Sequence, residues 1–287
     1  MTVALAIREA AEVLAQVSDT PRLDAELLMA HVLGMSRSDM LLREMNTPVP
    51  VGIASLVLRR LKHEPVAYIV GTQDFFGRPF AVEPGVLIPR ADSETTVLAA
   101  LAACSAPRRV LDCGVGSGAL LLTVLAEWPG ARGIGIDRSP VAIEVARANA
   151  IALDLAAVST MQPADWSEPG WAAGLGKFDL ILANPPYVED AADLEPQVRD
   201  HEPSEALFAG PDGLDAYRIL IPQLPALLER GGVAVLEIGH AQADAVTALA
   251  EAAGFAATLH RDLADRPRAL ALSVPGKKPL GKGGDPD

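Results

Sequence analysis

The sequence predicts an α/β protein: a doubly wound sheet, preceded by a small helical bundle and a linking β-hairpin. Three observations carry this. From about residue 108 onward, short apolar runs alternate with helical stretches, the pattern of repeated βαβ units. Residues 1–64 read as helices, with apolar positions recurring at spacings of three and four. Residues 65–90 gather four of the chain's twelve aromatic side chains together with glycine and proline turn signals.

In the helical part, Thr20-Pro21 reads as an N-cap followed by a first-turn proline. Leu23, Leu27, Ala30 and Leu33 continue that helix, and Gly34 stops it. Ser36 can cap a helix over Asp39 to Glu44, and Ser55 to Lys62 forms another. His31 and His63 read as ordinary surface or core residues. Tyr68 to Gly71 and Phe75 to Phe80 form the expected hairpin. Arg109 to Asp112 is then a strand, Gly118 to Trp128 a helix, Gly133 to Ile136 a strand, and Pro140 opens a helix to about Leu153. A third strand is expected to end near Asp165-Trp166. Phe178 to Ala183 is a buried strand, Asp215 to Arg230 a helix interrupted by proline, Gly232 to Ile238 a strand, Ala241 to Ala253 a helix and Arg268 to Val274 a last strand. Residues 276–287, rich in lysine and glycine, are expected to be a disordered tail.

Composition excludes several classes. The net charge of −13 argues against a general nucleic-acid binder, which needs a basic face for phosphates. A basic protein partner remains compatible. No apolar run is long enough for a membrane span. The stretch Met1 to Glu12 holds Arg8 and Glu9 in an alanine-rich amphipathic pattern and does not read as a signal peptide. Cys104 and Cys113 have neither metal nor redox spacing, so reduced thiols in a cytoplasmic protein are expected. Oligomeric state is not legible.

Two loops carry chemistry. Asp112-Cys113-Gly114-Val115-Gly116-Ser117-Gly118 joins the first strand of the α/β part to its helix, and its glycines let a ligand approach the backbone. A carboxylate at its start would repel a pyrophosphate but suits a cation bearing an ammonium and a sulfonium. Asp137, ending the next strand, can accept bonds from both ribose hydroxyls, although taken singly it equally suits the cap region of the following helix. Asp165 can meet an adenine amino group and Trp166 can cover the ring; plain core packing suits Trp166 as well. Together these residues fit S-adenosyl-L-methionine. The second loop, Asn184-Pro185-Pro186-Tyr187, follows a buried strand. Its prolines lack N–H groups, which leaves a stiff, carbonyl-rich turn. Such a turn suits a flat –NH2 group, with the Asn184 oxygen and a proline carbonyl accepting its hydrogens and the Tyr187 ring covering one face. A side-chain amide and an exocyclic adenine amine both qualify.

With these motifs the chain resembles the S-adenosylmethionine-dependent methyltransferases of amino groups. Glu64 to Gly71, Phe75-Phe76-Gly77, Leu87 to Glu94, Glu202-Pro203, Ala206-Leu207 and Glu237-Ile238-Gly239-His240 are similar to the release-factor glutamine methyltransferases, the HemK/PrmC family. Ala91 replaces a usual proline, Cys113 an aliphatic residue, and the stretch Asp265 to Arg268 differs around its arginine. The resemblance implies a Rossmann-like seven-stranded methyltransferase sheet over residues 91–275, with residues 1–64 as substrate-recognition domain and 65–90 as hairpin linker. It implies methylation of the glutamine in the Gly-Gly-Gln loop of peptide chain release factors, without stable nucleic-acid or membrane binding. The catalytic and substrate-binding positions would be Asn184, Pro185, Pro186 and Tyr187. Cofactor contacts would fall on Gly114, Val115, Gly116, Ser117, Gly118, Asp137, Trp166 and Asn184, joined by Asp112 and Asp165 from the reading of the residues; no metal is expected. Glutamine methylation of a ribosomal protein and adenine-N6 methylation of nucleic acid are the alternatives, with a non-catalytic module holding a vestigial cofactor site as the last.

Overall fold

The computed structural model describes residues 1–275, and the expected tail lies outside the described residues. The chain divides into two compact units. The first comprises Met1–Thr72, Val82–Pro84 and Leu194–Glu202; the second holds Gln73–Ala81, Gly85–Asp193 and the chain from Pro203.

The first unit is a bundle of α1 (Val3–Leu14), α2 (Pro21–Leu33), α3 (Arg37–Arg43), α4 (Ile53–Arg60) and α5 (Val66–Val70). Val3, Ile7, Ala10 and Leu14 recur at helical spacing and pack with Leu28, Met29 and Met40 in its core. Pro21 does stand at the first turn of α2, and Gly34 closes the helix in the left-handed region. Thr20 makes no capping bond; its hydroxyl turns to Asp24 instead. Ser36 caps α3 by accepting from the Asp39 amide at 3.0 Å. Helix α5 corrects the expectation of a hairpin from Tyr68. Pro65 sets the turn before Val66, Gly71 (φ 79°) ends it, and Ile69 is drawn into the bundle core. A late stretch of the chain, carrying α9 (Pro196–Arg199), completes this unit. Buried Arg60 donates to Asp24 at 2.7 Å and to the Gln197 side chain at 3.1 Å, and His201 donates to the Lys62 carbonyl at 3.1 Å.

A hairpin of β1 (Thr72–Phe75) and β2 (Arg78–Ala81) lies at the start of the second unit, its first residue, Thr72, ending the first. Phe76 (φ 50°) and Gly77 (φ 72°) supply the two positive φ angles of a tight hairpin turn. Phe75 and Phe80 pack edge to face, their rings 6.1 Å apart. A 3-10 turn (Ala91–Ser93) then runs into α6 (Glu94–Ala103). The alternating part is β3 (Arg109–Cys113), α7 (Ala119–Glu127), β4 (Arg132–Asp137), α8 (Pro140–Ala152), β5 (Ser159–Pro163) and β6 (Phe178–Ala183). After α9 come α10 (Asp215–Leu220), α11 (Leu224–Leu227), β7 (Leu228–Glu237), α12 (Ala243–Ala252), β8 (Ala256–Arg261) and β9 (Pro267–Ser273).

Seven strands form one sheet in the order β5-β4-β3-β6-β7-β9-β8. β3 to β7 are parallel, and β9 lies antiparallel between β7 and β8. Both faces are covered, so β6 is buried along its whole length. Val110, Leu180, Leu182 and Val235 enter one core with Leu121 and Val124. Leu111, Ile181, Ala183 and Leu236 enter the other with Tyr217 and Leu224.

Two expectations are corrected. The helix from Asp215 stops at Leu227, because Leu228 already pairs with Phe178; the register then shifts beside Gly231 (φ 86°). Strand β8 has no counterpart in the sequence reading. It is an edge strand with mostly exposed side chains and therefore lacks an apolar run.

Candidate active site

The chain order reverses at β3: β4 and β5 follow on one side, β6 on the other. Ligands in open α/β sheets collect beyond the strand carboxyl ends at such a point. Cys113 of β3 pairs with Ala183 of β6, so the glycine loop and the Asn184 loop leave the sheet side by side. A cavity of about 360 Å³ opens there.

Gly114, Gly116 and Gly118 have φ of 85°, 53° and 87°, angles that a side chain would strain. The Gly114 and Val115 amides donate to the Ile136 carbonyl at 2.9 and 2.8 Å, which holds the loop against β4. Gly114, Val115, Gly116 and Ser117 line the cavity; Gly118 sits behind, against Leu122, and opens α7.

Four more expected residues reach the same cavity: Asp112, Asp137, Asp165 and Trp166. Asp112 is buried, and neither carboxylate oxygen has a hydrogen-bond partner among the described residues. Burial pushes its pKa well up; the Leu121 backbone amide, approaching outside full hydrogen-bond geometry, pulls down less than that, and the Asp137 charge adds to the rise. A buried carboxylate beside a cavity calls for a compensating cation, which fits an ammonium-bearing ligand. Asp137 accepts from the Gly116 amide through Oδ2 and from the Ser139 amide through Oδ1, both at 2.9 Å. It therefore shapes the loop as well as facing the cavity. Burial raises its pKa although those amides pull the other way. Ser139, not Asp137, caps α8. Asp165 turns Oδ1 to Ser167 at 2.7 Å, and that bond lowers its pKa. Trp166 is half-buried: two of its ring carbons lie against Gly114 of the glycine loop, and the ring also packs on the second core.

Asn184 and Pro186 line the opposite side of the cavity; Pro185 and Tyr187 do not. Pro185 is buried, and the Tyr187 hydroxyl faces Glu237 at 3.5 Å. Burial and the Glu237 charge push the Tyr187 pKa up to about 12. Ile88, Pro89, Arg90 and Ser93, for which the sequence suggests no role beyond the resemblance, also line the cavity, as does the stretch from Pro203 to Gly210 in part. The signal of the first four is a proline-marked stretch between hairpin and helix.

The comparisons agree with this geometry. Residues 6–71 match the family model described as PrmC N-terminal domain, and residues 79–200 the one described as methyltransferase small domain. A release factor glutamine methyltransferase of Rhodospirillum rubrum is 43% identical over 271 residues, 91% of this chain and 82% of that relative. The chain belongs to the release factor glutamine methyltransferase family. A second member, from Cereibacter sphaeroides, is 41% identical over 96% of this chain and 99% of its own length. Among solved structures, a methyltransferase of Pyrococcus furiosus matches with a TM-score of 0.51 at 15% identity, over 76% of this chain and 98% of that one, which supports the fold.

Proposed function

We propose that the chain is an S-adenosylmethionine-dependent protein-glutamine N5-methyltransferase acting on the Gly-Gly-Gln loop of peptide chain release factors. One observation carries the assignment to residues: the Gly114–Ser117 loop and Asn184 leave adjacent strands and face one cavity.

S-adenosylmethionine, when bound, supplies a methyl group made electrophilic by a sulfonium. Asp112 supplies the counter-charge for its ammonium, Asp137 accepts from the ribose hydroxyls, and Trp166 covers the nucleoside beside Gly114. Asn184 accepts an N–H bond of the substrate amide, with Pro186 beside its plane; both line the cavity, whereas Pro185 stiffens the turn behind them. An amide nitrogen is a weak nucleophile, so positioning is the main resource, and in favourable cases it contributes roughly 7–11 kcal/mol. No side chain has to remove a proton first, because the nitrogen turns acidic once methylated and releases a proton to water. The helical unit recognises the rest of the release factor; the match of residues 6–71 to the PrmC N-terminal domain model supports that role. On this reading the enzyme works in the cytoplasm, and no described helix is long and apolar enough to cross a membrane.

The test is transfer of tritiated methyl from S-adenosylmethionine to release factors, to a Gln→Ala version of their Gly-Gly-Gln loop, and to DNA. Label is expected on the intact loop alone. Label on DNA, or undiminished label on the Gln→Ala protein, overturns the proposal.

A further inference from the structure

Next to Asn184, and reaching the cavity through Ser93, lies a group of polar side chains with no role so far. Ser93, Thr96 and Glu237 are all buried, at 4%, 0% and 1% exposure. Ser93 ends the 3-10 turn before α6, Thr96 lies on α6 and Glu237 ends β7. The Ser93 hydroxyl bonds the Glu237 carboxylate, and the Asn184 side-chain nitrogen reaches Ser93 Oγ at 3.5 Å. Thr96 and Tyr187 hydroxyls approach the two carboxylate oxygens, each at 3.5 Å, and Tyr217 donates to the Glu237 carbonyl at 2.9 Å. Contacts at the long end of hydrogen bonding tighten when substrate closes a site.

The chemistry of the three groups in series has a direction. An ionised carboxylate only accepts, so Ser93 must spend its single proton on Glu237. What the hydroxyl then offers Asn184 is a lone pair. Of the two ends of the Asn184 amide, only the NH2 can meet a lone pair favourably. Its oxygen is thereby turned toward the cavity. Were the amide reversed, its carbonyl would face the Ser93 lone pair and its NH2 would face the N–H bonds of the acceptor.

We propose that Ser93 and Glu237 are positioning residues that hold the Asn184 amide with its oxygen toward the acceptor nitrogen. The inference rests on the reading of Asn184 as the group that receives the substrate amide. It makes the orientation depend on the charge of Glu237. The groups facing that carboxylate are Asp92 on the 3-10 turn, Arg268 on β9, Tyr187 and Tyr217, with Arg90 beside Tyr187. Arg268 is itself shared with Asp92 at 2.7 Å and Asp262 at 3.4 Å. Burial prevails, and the Glu237 pKa is pushed up to about 7. Once protonated, Glu237 no longer obliges Ser93 to donate to it. Ser93 can then turn its proton to Asn184, and the amide loses its preferred direction. Turnover should fall as pH drops through this range.

The experiment uses the full chain, S-adenosylmethionine and a release factor, and compares wild type with Ser93→Ala, Ser93→Thr and Glu237→Gln across pH. Ser93→Ala should lower kcat about tenfold, the worth of one directing hydrogen bond, with cofactor affinity unchanged. Ser93→Thr, which restores the hydroxyl, should recover most of it. Folded Glu237→Gln should lose the acid limb of the pH–kcat profile. Wild-type kcat in Ser93→Ala overturns the proposal, as does an unchanged acid limb in folded Glu237→Gln; should that variant fail to fold, Ser93→Ala decides. A readout independent of the acceptor is the side-chain amide NMR signal of Asn184. It should shift with a midpoint near the Glu237 pKa in wild type and stay still in Ser93→Ala. A signal that never titrates overturns the inference. If wild type fails to methylate release factors, the proposed function falls, while the amide titration still decides the role of Ser93 and Glu237.

Discussion

The Trp166 indole lies so close over Gly114 that a Cβ on Gly114 would stand 3.1 Å from two of its ring carbons. The two residues form a slot with no room for a methyl group, and Gly114 also holds φ at 85°. Gly114→Ala must therefore displace the ring and strain the backbone, at roughly 1–2 kcal/mol for the strain alone. We expect S-adenosylmethionine affinity to drop at least about tenfold in calorimetry. Unchanged affinity would remove Trp166 and Gly114 from the cofactor site.

Asn184→Ala tests the acceptor wall. By analogy with the loss of one preorganised transition-state hydrogen-bond partner, kcat should fall by about two to three orders of magnitude. Cofactor binding should change far less. Wild-type turnover would sink the assignment of Asn184.

Asp112 bears on how the cofactor binds. Burial holds its proton well above the ordinary carboxylate range, and an arriving ammonium would drive that proton off. Binding should release a proton and strengthen as pH rises. Titration calorimetry in buffers of different ionisation enthalpy measures that proton directly. Asp112→Asn should bind weakly with the proton release gone; equal release in wild type and variant refutes the pairing.

Glu237 makes a prediction about stability. Its pKa of about 7 in the folded protein exceeds the ordinary 4.5. The folded state holds the proton more tightly, so the group's contribution is complete below the ordinary value. It is lost as pH rises through the folded one. Above that, the buried charge costs on the order of 3 kcal/mol. Relative to wild type, Glu237→Gln should gain Tm between about pH 5 and about pH 8. A constant difference in Tm across that interval would contradict it.

What could be read from sequence follows how locally each residue declares itself. Gly114 and Gly116 mark left-handed backbone, Pro185 and Pro186 mark missing donors, and Asp137 marks a strand end; none needs a distant partner to be noticed. Ser93 and Glu237 stand in stretches that carry the resemblance but declare no role of their own, because what matters is that the turn before α6 and the end of β7 bring them together. Strand β8 escaped notice since Leu259 and His260 sit on an edge that needs no continuous apolar face. The helix at Val66–Val70 was hidden by aromatic and β-branched residues that suit a strand equally well.

The helical unit is not finished by its own first stretch. Gln197 and His201, which bond Arg60 and the Lys62 carbonyl, come from a part of the chain made long after α1 to α5. Chains emerge from the ribosome N-terminus first, and domains commonly fold as they emerge. Here the earliest helices must wait, with the Arg60 guanidinium lacking its Gln197 partner, until synthesis has passed Glu202. By then β3 to β6 are already made. The bundle therefore completes its hydrogen bonding only after much of the sheet has been synthesised, and a fragment cut at Thr72 would carry that gap permanently.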